Sequence, residues 1–547
     1  MKKNLLAFAI ITQLFFPLNS FGFVKIVDLV FDGKSVDPEK IAETLATVKA
    51  NKLKNKTIKN PLKLKPDQLF IIPAKQANPK NIQLEVDTSE VVVKSNKDIQ
   101  AAISNQAFLD AITEAVNLWD GVDIADITFA PLKFASGQAD PEDGRNIVTF
   151  RAINLPEGVP DGVAVTSIIT YARTENILFM NQEIMVKPGS ILDADIIYDP
   201  TNNPCLALHT TEGDFVPGGN NASIVEGGID PTLTAEDLSN CTVISSGDLT
   251  DFAVRTIANV LGLESSAIAS AASSPVSLTM TRYDLTNDDK IGLANLYPNT
   301  ANLTMHGTVF GKVTLNKKPV RGAHVVFEDT ITGEPVASTI TDVFGKFKIN
   351  PIPSGTYNVY AEPLDGPARK NALPRNFFAF TADENFTTGV FPQPVTIESK
   401  KRVNIKIEVK ELSASAFNIN YFTSFLTEAD VAKGGGGFIL PIKINPGETL
   451  TDIRFWGSNI SPNFGTLSVS GTGVTISNIR EDKSISIFPG VSDPPPDRLP
   501  GIIVDITCAA DTQIGPRNII FTGDQLDETS PSFGLRDQIT GGLFVVE

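Results

Sequence analysis

Between residues 248 and 298 the apolar positions first fall at helical intervals and then stop. Phe252, Ala253, Ile257, Val260 and Leu261 share one side of a predicted helix, and Asp251, Arg255 and Asn259 recur four apart on the other. Gly262 ends that helix, because glycine takes the left-handed conformation that a C-terminal turn needs. A loop with a single methionine, Met280, follows, and then a last helix opened by Asp and Thr. Upstream, Ile99, Ile103, Phe108, Ala111, Ala115 and Trp119 line one face of another helix, and Asp37 and Pro38 open one through Ile41, Leu45 and Val48. Alternating β-branched residues predict strands at 83–94, 147–150, 164–171 and 191–198. In the last of these, Asp193 and Asp195 read as the solvent face of an alternating strand rather than as calcium ligands.

After residue 303 the pattern changes to strands separated by turn residues. Val325 and Phe327 alternate inward, 342–345 is a turn, Phe347 and Ile349 alternate again, and Ser354 with Gly355 turns the chain once more. From 412 onward, 438–444, 453–456, 466–479 and 502–506 are further strand candidates between Gly, Asn and Pro turns. The run of glycines at 434–437 is flexible backbone. It is no phosphate cradle, since no helix or lysine follows in frame.

The stretch 248–298 resembles the catalytic half of the matrixin (metzincin) family of zinc metallopeptidases, whose motif runs HExxHxxGxxH before a methionine turn. Leu261, Gly262 and Leu263 match the family's LGL, Met280 falls at the methionine turn, and 285–297 matches L-T-x-D-D-x-x-G-L-x-x-L-Y. With the glycines aligned, the ligand and base positions hold Arg255, Thr256, Asn259 and Ser265, so the resemblance implies the scaffold without its chemistry. The likeness extends over 82–300. It includes a first helix ending in tryptophan, and it implies that 191–198 is the edge-side strand beside a substrate cleft. The segment 199–247, which carries His209, reads as a long insertion near that cleft. The segment 304–411 resembles the carboxypeptidase regulatory-like domain, a transthyretin-like β-sandwich, through Gly307, Pro319, Gly322, Ala323, Thr341, Asp342, Gly345, Phe347, Pro353, Gly355 and Tyr357. The end of 412–547 is similar to the last hairpin of immunoglobulin-like IPT/TIG modules. The expected fold is therefore multidomain, an α+β matrixin-like unit followed by two all-β sandwiches.

The chemistry at the motif positions is decisive for metal. A catalytic zinc takes three lone-pair ligands at roughly 2.0–2.2 Å and a nearby carboxylate base. A guanidinium only donates, and at about 4 Å and an effective dielectric of about 20 each unit of charge on a dication repels it by about 4 kcal/mol. The chain has three histidines, His209, His306 and His324, of which one lies in 82–300. Asp251 precedes Arg255 by four residues, the favourable order for a helical ion pair, so this side reads as an ordinary polar helix face. No catalytic or metal residue and no cofactor are assigned. Zinc would enter only in the alternative of a secreted endopeptidase drawing carboxylates from Asp193, Asp195, Asp251 or Glu264.

Composition adds an address and removes some partners. The 547 residues are 42% hydrophobic and 20% charged, long enough for several cores, and the net charge of −17 argues against nucleic acid. Residues 1–22 read as a secretory leader: Lys2 and Lys3, an apolar run at 5–16, then Ser20 and Gly22 before the cut. Residues 23–81 form an accessory or prosegment-like region, and no later run is long and apolar enough to span a bilayer. Cys205 and Cys241 can pair in an oxidising compartment, leaving Cys508 as a buried free thiol. The reading is an exported, non-catalytic protein, extracellular, periplasmic or at the cell surface, that binds a protein, peptide or glycan or serves a structural role. The alternatives are the endopeptidase above and a cell-surface adhesin or carbohydrate-binding protein resting on the two sandwiches.

Overall fold

The computed structural model describes, besides short pieces elsewhere, residues 75–87, 105–136, 143–149, 165–172, 189–198, 245–263, 266–274, 285–342, 344–365, 382–413, 415–423, 441–463, 465–482, 501–523 and 534–546. The expected helix at Asp37 and Pro38, the Cys205–Cys241 pair, Glu264, Ser265 and Met280 lie outside them. The described chain is mostly β-strand and has several units, two of them β-sandwiches.

The first unit is a mixed sheet against two helices. Its strands are β1 (Glu85–Asp87), β2 (Lys133–Ala135), β3 (Ile147–Thr149), β4 (Val165–Ala172) and β5 (Ser190–Tyr198), and its helices α1 (Asn105–Asp120) and α2 (Leu249–Val260). The spatial order is β4-β5-β3-β1-β2, with only β4 antiparallel to its neighbour. The expected 83–94 strand is divided: β1 joins this sheet, while Val91–Lys94 pairs with Gln100–Ile103. Ile103 therefore ends a strand before α1 instead of lining the helix, and Ile99 lies outside the described residues. Trp119, fully buried, donates from Nε1 to Val254 O at 2.8 Å, which fixes α1 against α2.

Two expectations about β5 are corrected. It is an interior strand, paired with β3 on one side and β4 on the other, so it presents no edge. Asp193 and Asp195 are fully buried, and one oxygen of each accepts a backbone N–H, from Gly144 and Ile147, in place of water. The edge beyond β4 is taken by Leu6–Gln13, within the expected leader, in antiparallel register from Leu6 opposite Ala172 to Gln13 opposite Val165. Leaders and strands both select apolar runs, so the sequence pattern is compatible with either. His209, expected in a loop, ends the strand Leu206–His209, which pairs with Ser245–Asp248.

The stop at Gly262 forms as expected. Its φ is +86°, its N–H reaches Asn259 O, and Leu263 N–H reaches Ala258 O, the pair of bonds that closes a Schellman turn. Tyr297 OH donates to Leu261 O and Gln76 Nε2 to Val260 O, which satisfies carbonyls the helix end leaves open. Helix α3 (Asn287–Leu296) starts in a capping box between Thr286 and Asp289.

In the middle sandwich, β6 (His306–Leu315), β9 (Lys346–Pro353) and β11 (Arg402–Glu411) lie in one sheet, and β7 (His324–Asp329), β8 (Pro335–Ile340) and β10 (Gly355–Glu362) in the other. Val309, Val313, Val325, Phe327, Phe347, Ile349, Ile405 and Ile407 fill the space between them. In the C-terminal sandwich the expected strand 466–479 is two strands, Gly465–Val469 and Val474–Asp482, separated by a turn with Gly471 and Gly473 at positive φ. Cys508 is buried and free, as expected.

The three units share cores and polar bonds. Ile291 of α3 belongs to the middle sandwich core, and Ala269, from the loop after α2, to the C-terminal one. Asp288 accepts from Ser266 and from Ser338 N, and Asp289 accepts from Ser273, Ala272 N and Thr286. Strand β7 is buried on both faces, because His324 and Glu328 point away from the sandwich core into the junction with the C-terminal unit. There Glu362 accepts from Gln538 Nε2 and Thr540 Oγ1, both at 2.8 Å, and lies 2.6 Å from His324 Nδ1. Asn518 donates to Glu328 and Tyr360 and accepts from Gly541 N.

Gly541, at φ +67°, lets this junction close: a Cβ there would lie 2.5 Å from Ser270 Oγ and 2.6 Å from Ile268 Cγ2. Gly541→Ala is therefore expected to destabilise by about 1–3 kcal/mol through overpacking and left-handed strain. A lowered chemical-denaturation midpoint of the full chain would be the readout, and an unchanged midpoint would contradict this account of the junction.

Candidate functional site

Three of the four motif positions, Arg255, Thr256 and Asn259, lie on α2, and the structure changes their meaning. The expectation of an ordinary solvated face is wrong: Arg255, Thr256 and Asn259 are 4%, 0% and 2% exposed. A helix with polar residues on one side reads as half-wet, yet here that side is enclosed as well. Thr256 Oγ1 bonds back to Phe252 O at 3.0 Å and meets Tyr198 OH at 2.8 Å, so the Thr256 hydroxyl is tied to β5. Asn259 Nδ2 donates to Arg255 O at 3.2 Å. The Arg255 guanidinium stands 5.8 Å from the Phe252 ring centre.

The electrostatics favour a cation that belongs to the chain itself. Burial lowers the Arg255 pKa to about 10, and Asp251 and Tyr198 oppose that fall. Arg255 thus stays protonated at neutral pH. Asp251 also acts on Lys443 of the C-terminal sandwich, whose pKa burial lowers. Among the described residues no three His, Cys, Asp or Glu side chains gather as metal ligands. Asp193 and Asp195 face Gly144 and Ile147, whereas Asp251 acts on Arg255 and Lys443, so the Asp193–Asp195 pair and Asp251 belong to separate surroundings, and Glu264 lies outside the described residues.

The pair on β5 is the other concentration of unusual groups. Gly144 N donates to Asp193 Oδ2 at 2.8 Å and Ile147 N to Asp195 Oδ1 at 2.9 Å, holding the chain before β3 on the sheet. Burial raises Asp193 to about 9, with Asp195 adding to the rise, and raises Asp195 to about 7 against the bond from Ile147. The sequence signal was the i, i+2 spacing, which cannot distinguish a wet face from a buried pair.

Compared with known families and with curated proteins, the chain matches none. Among solved structures it is similar to BcpA, the major pilin subunit of Bacillus cereus, at 10% identity over 44% of this chain and 69% of that one, with a TM-score of 0.15. A DUF3823 family protein from Bacteroides ovatus matches at 10% identity over 42% and 96%, TM-score 0.13. A proposed carbohydrate-binding protein from Bacteroides uniformis matches at 10% over 42% and 95%, TM-score 0.13. TM-scores this low carry no argument about function.

The raised carboxylates give a pH dependence whose sign is fixed. Asp193 and Asp195 hold protons in the folded chain above the ordinary aspartate value of 3.8. Their contribution to stability is thus fully present below about pH 4 and is lost as pH rises through about 7 and about 9. Asp193→Asn is expected to flatten the decline in melting temperature between pH 5 and pH 9, and to raise it at pH 8 by roughly 2–4 °C. A steeper decline in the variant would refute the assignment.

Proposed function

We propose that this is an exported, non-catalytic binding or structural protein of the cell surface or extracellular space, in which residues 82–300 keep a matrixin-like scaffold after loss of its zinc centre. The observation that carries this reading is the buried Arg255 guanidinium, a permanent cation at the first ligand position. The scaffold half of the reading draws support from the helix closed at Gly262, the tryptophan that ends α1 and bonds to α2, and the capped α3. Among the described residues no helix is long and apolar enough to cross a membrane.

Strand addition along 191–198, the route by which an extended peptide was expected to bind, is not available on an interior strand. The free-edge candidate moves outward to β4. If the leader is cut after Gly22, Leu6–Gln13 leaves with it, and the backbone groups of β4 on that side lose their partners. An extended peptide can then pair there.

Two measurements test the reading. Zinc in the purified chain is expected to be substoichiometric, with no chelator-sensitive caseinolysis; stoichiometric zinc together with such proteolysis would overturn it in favour of the endopeptidase. Hydrogen exchange at 165–172 is expected to be faster in a chain starting at Phe23 than in one starting at Met1. Equal protection would remove β4 as an acceptor edge.

A further inference from the structure

The outer face of the middle sandwich carries a charge pattern that the fold does not need. On β6, β9 and β11 the inward residues are apolar, and the outward ones are Phe310 and Lys312, Lys346 and Lys348, Arg402, Asn404 and Lys406. The register aligns them in rows: Lys312 lies opposite Lys346 on one side and Lys406 on the other, and Phe310 opposite Lys348 and Asn404. Arg402 is opposite Thr308, and its guanidinium stands 5.2 Å from the Phe310 ring centre. Five cations thus share one face of the sheet with a half-buried aromatic ring, on a patch of about 10 Å by about 13 Å, with Arg402 the one set against the ring.

Like charges directly opposite on neighbouring strands are destabilising. Three lysines in one row are therefore a cost that packing does not require, since every one of these side chains points away from the core. The nearby acids offset this row only in part. Glu408, one row beyond, pairs with Lys406 Nζ at 3.3 Å and also takes Thr314 and Lys317 N, while Asp342 in the turn accepts from Phe344 N and Lys346 N and acts on the charges of Lys346 and Lys312, which leaves five cations against two carboxylates. The net charge of the whole chain is −17, so this face is an island of opposite sign. Such an island focuses anions toward itself.

We infer that the outer face of β6, β9 and β11 is a binding site for an acidic glycan, a chain of sugars bearing carboxylate or sulfate groups. The cation rows match anionic groups on successive sugars, and Phe310 offers an apolar surface for the C–H face of a ring at the centre. The net charge of −17 on the whole chain disfavours duplex nucleic acid, whose long charged backbone would meet the rest of the chain in repulsion. The inference rests on the middle sandwich and stands apart from the fate of the zinc centre.

The test uses the full chain and calorimetric titration with an oligogalacturonate and a sulfated hexasaccharide, beside a neutral glucan and a polyphosphate of equal charge. At least one acidic glycan is expected to bind, the neutral glucan not, and raised salt to weaken the complex. Lys312→Glu with Lys348→Glu is expected to weaken glycan binding at least about tenfold. The melting temperature of Lys312→Glu is expected to be unchanged or higher, because that side chain lies between two lysines, so loss of binding is not loss of fold. Phe310→Ala is expected to weaken glycan binding and leave polyphosphate binding unchanged. Binding that survives the charge reversals would overturn the site. Polyphosphate bound as tightly as glycan, with no effect of Phe310→Ala, would overturn the glycan assignment, as would failure of both acidic glycans to bind.

Discussion

The buried polar seam between the units is the constraint on which the architecture depends. Glu328 and Glu362 are nearly sealed from water on the outer face of the middle sandwich, and each is met by a donor from the C-terminal unit. A satisfied network of this kind orients its parts because few arrangements return every hydrogen bond, and a half-satisfied one is costly. On the other side of the junction, Asp288 and Asp289 hold the serine-rich loop after α2, which touches the last strand through Ala269 N and Thr540 O. The loop following α2 is thus tied to α3 and to the C-terminal sandwich.

That engagement bears on the helix itself. In a metal enzyme the polar side of such a helix must face a cavity that admits water and substrate. Here Thr256 is tied to Tyr198, Asn259 to its own helix, and Arg255 is enclosed with its charge balanced by neighbours. These residues knit helix to sheet, so the polar side of α2 is packing and not an open surface.

Much of this was legible in the chain. The helix at Leu249–Val260 and the glycine stop beyond it followed from periodicity and from the one residue type that turns there most readily. The inward strands of the middle sandwich followed from alternation. What could not be read was the meaning of polar residues at alternate positions. Asp193 and Asp195, like His324 and Glu328, occupy positions that in an isolated strand would face water. Backbone donors or another unit cover them instead. Arg255 failed for the same reason on a helix. Alternation records a change of environment without saying whether that environment is solvent or a hydrogen-bonded interior.

The double burial of β7 has a practical corollary for anyone dividing this molecule into pieces. A fragment that stops near residue 411 would expose Glu328, Tyr360 and Glu362 with their complements removed, a surface neither apolar enough to pack on itself nor evolved for hydration. Such excised modules should be sticky and ill-behaved, and whatever they cling to in isolation will say little about what the intact protein holds.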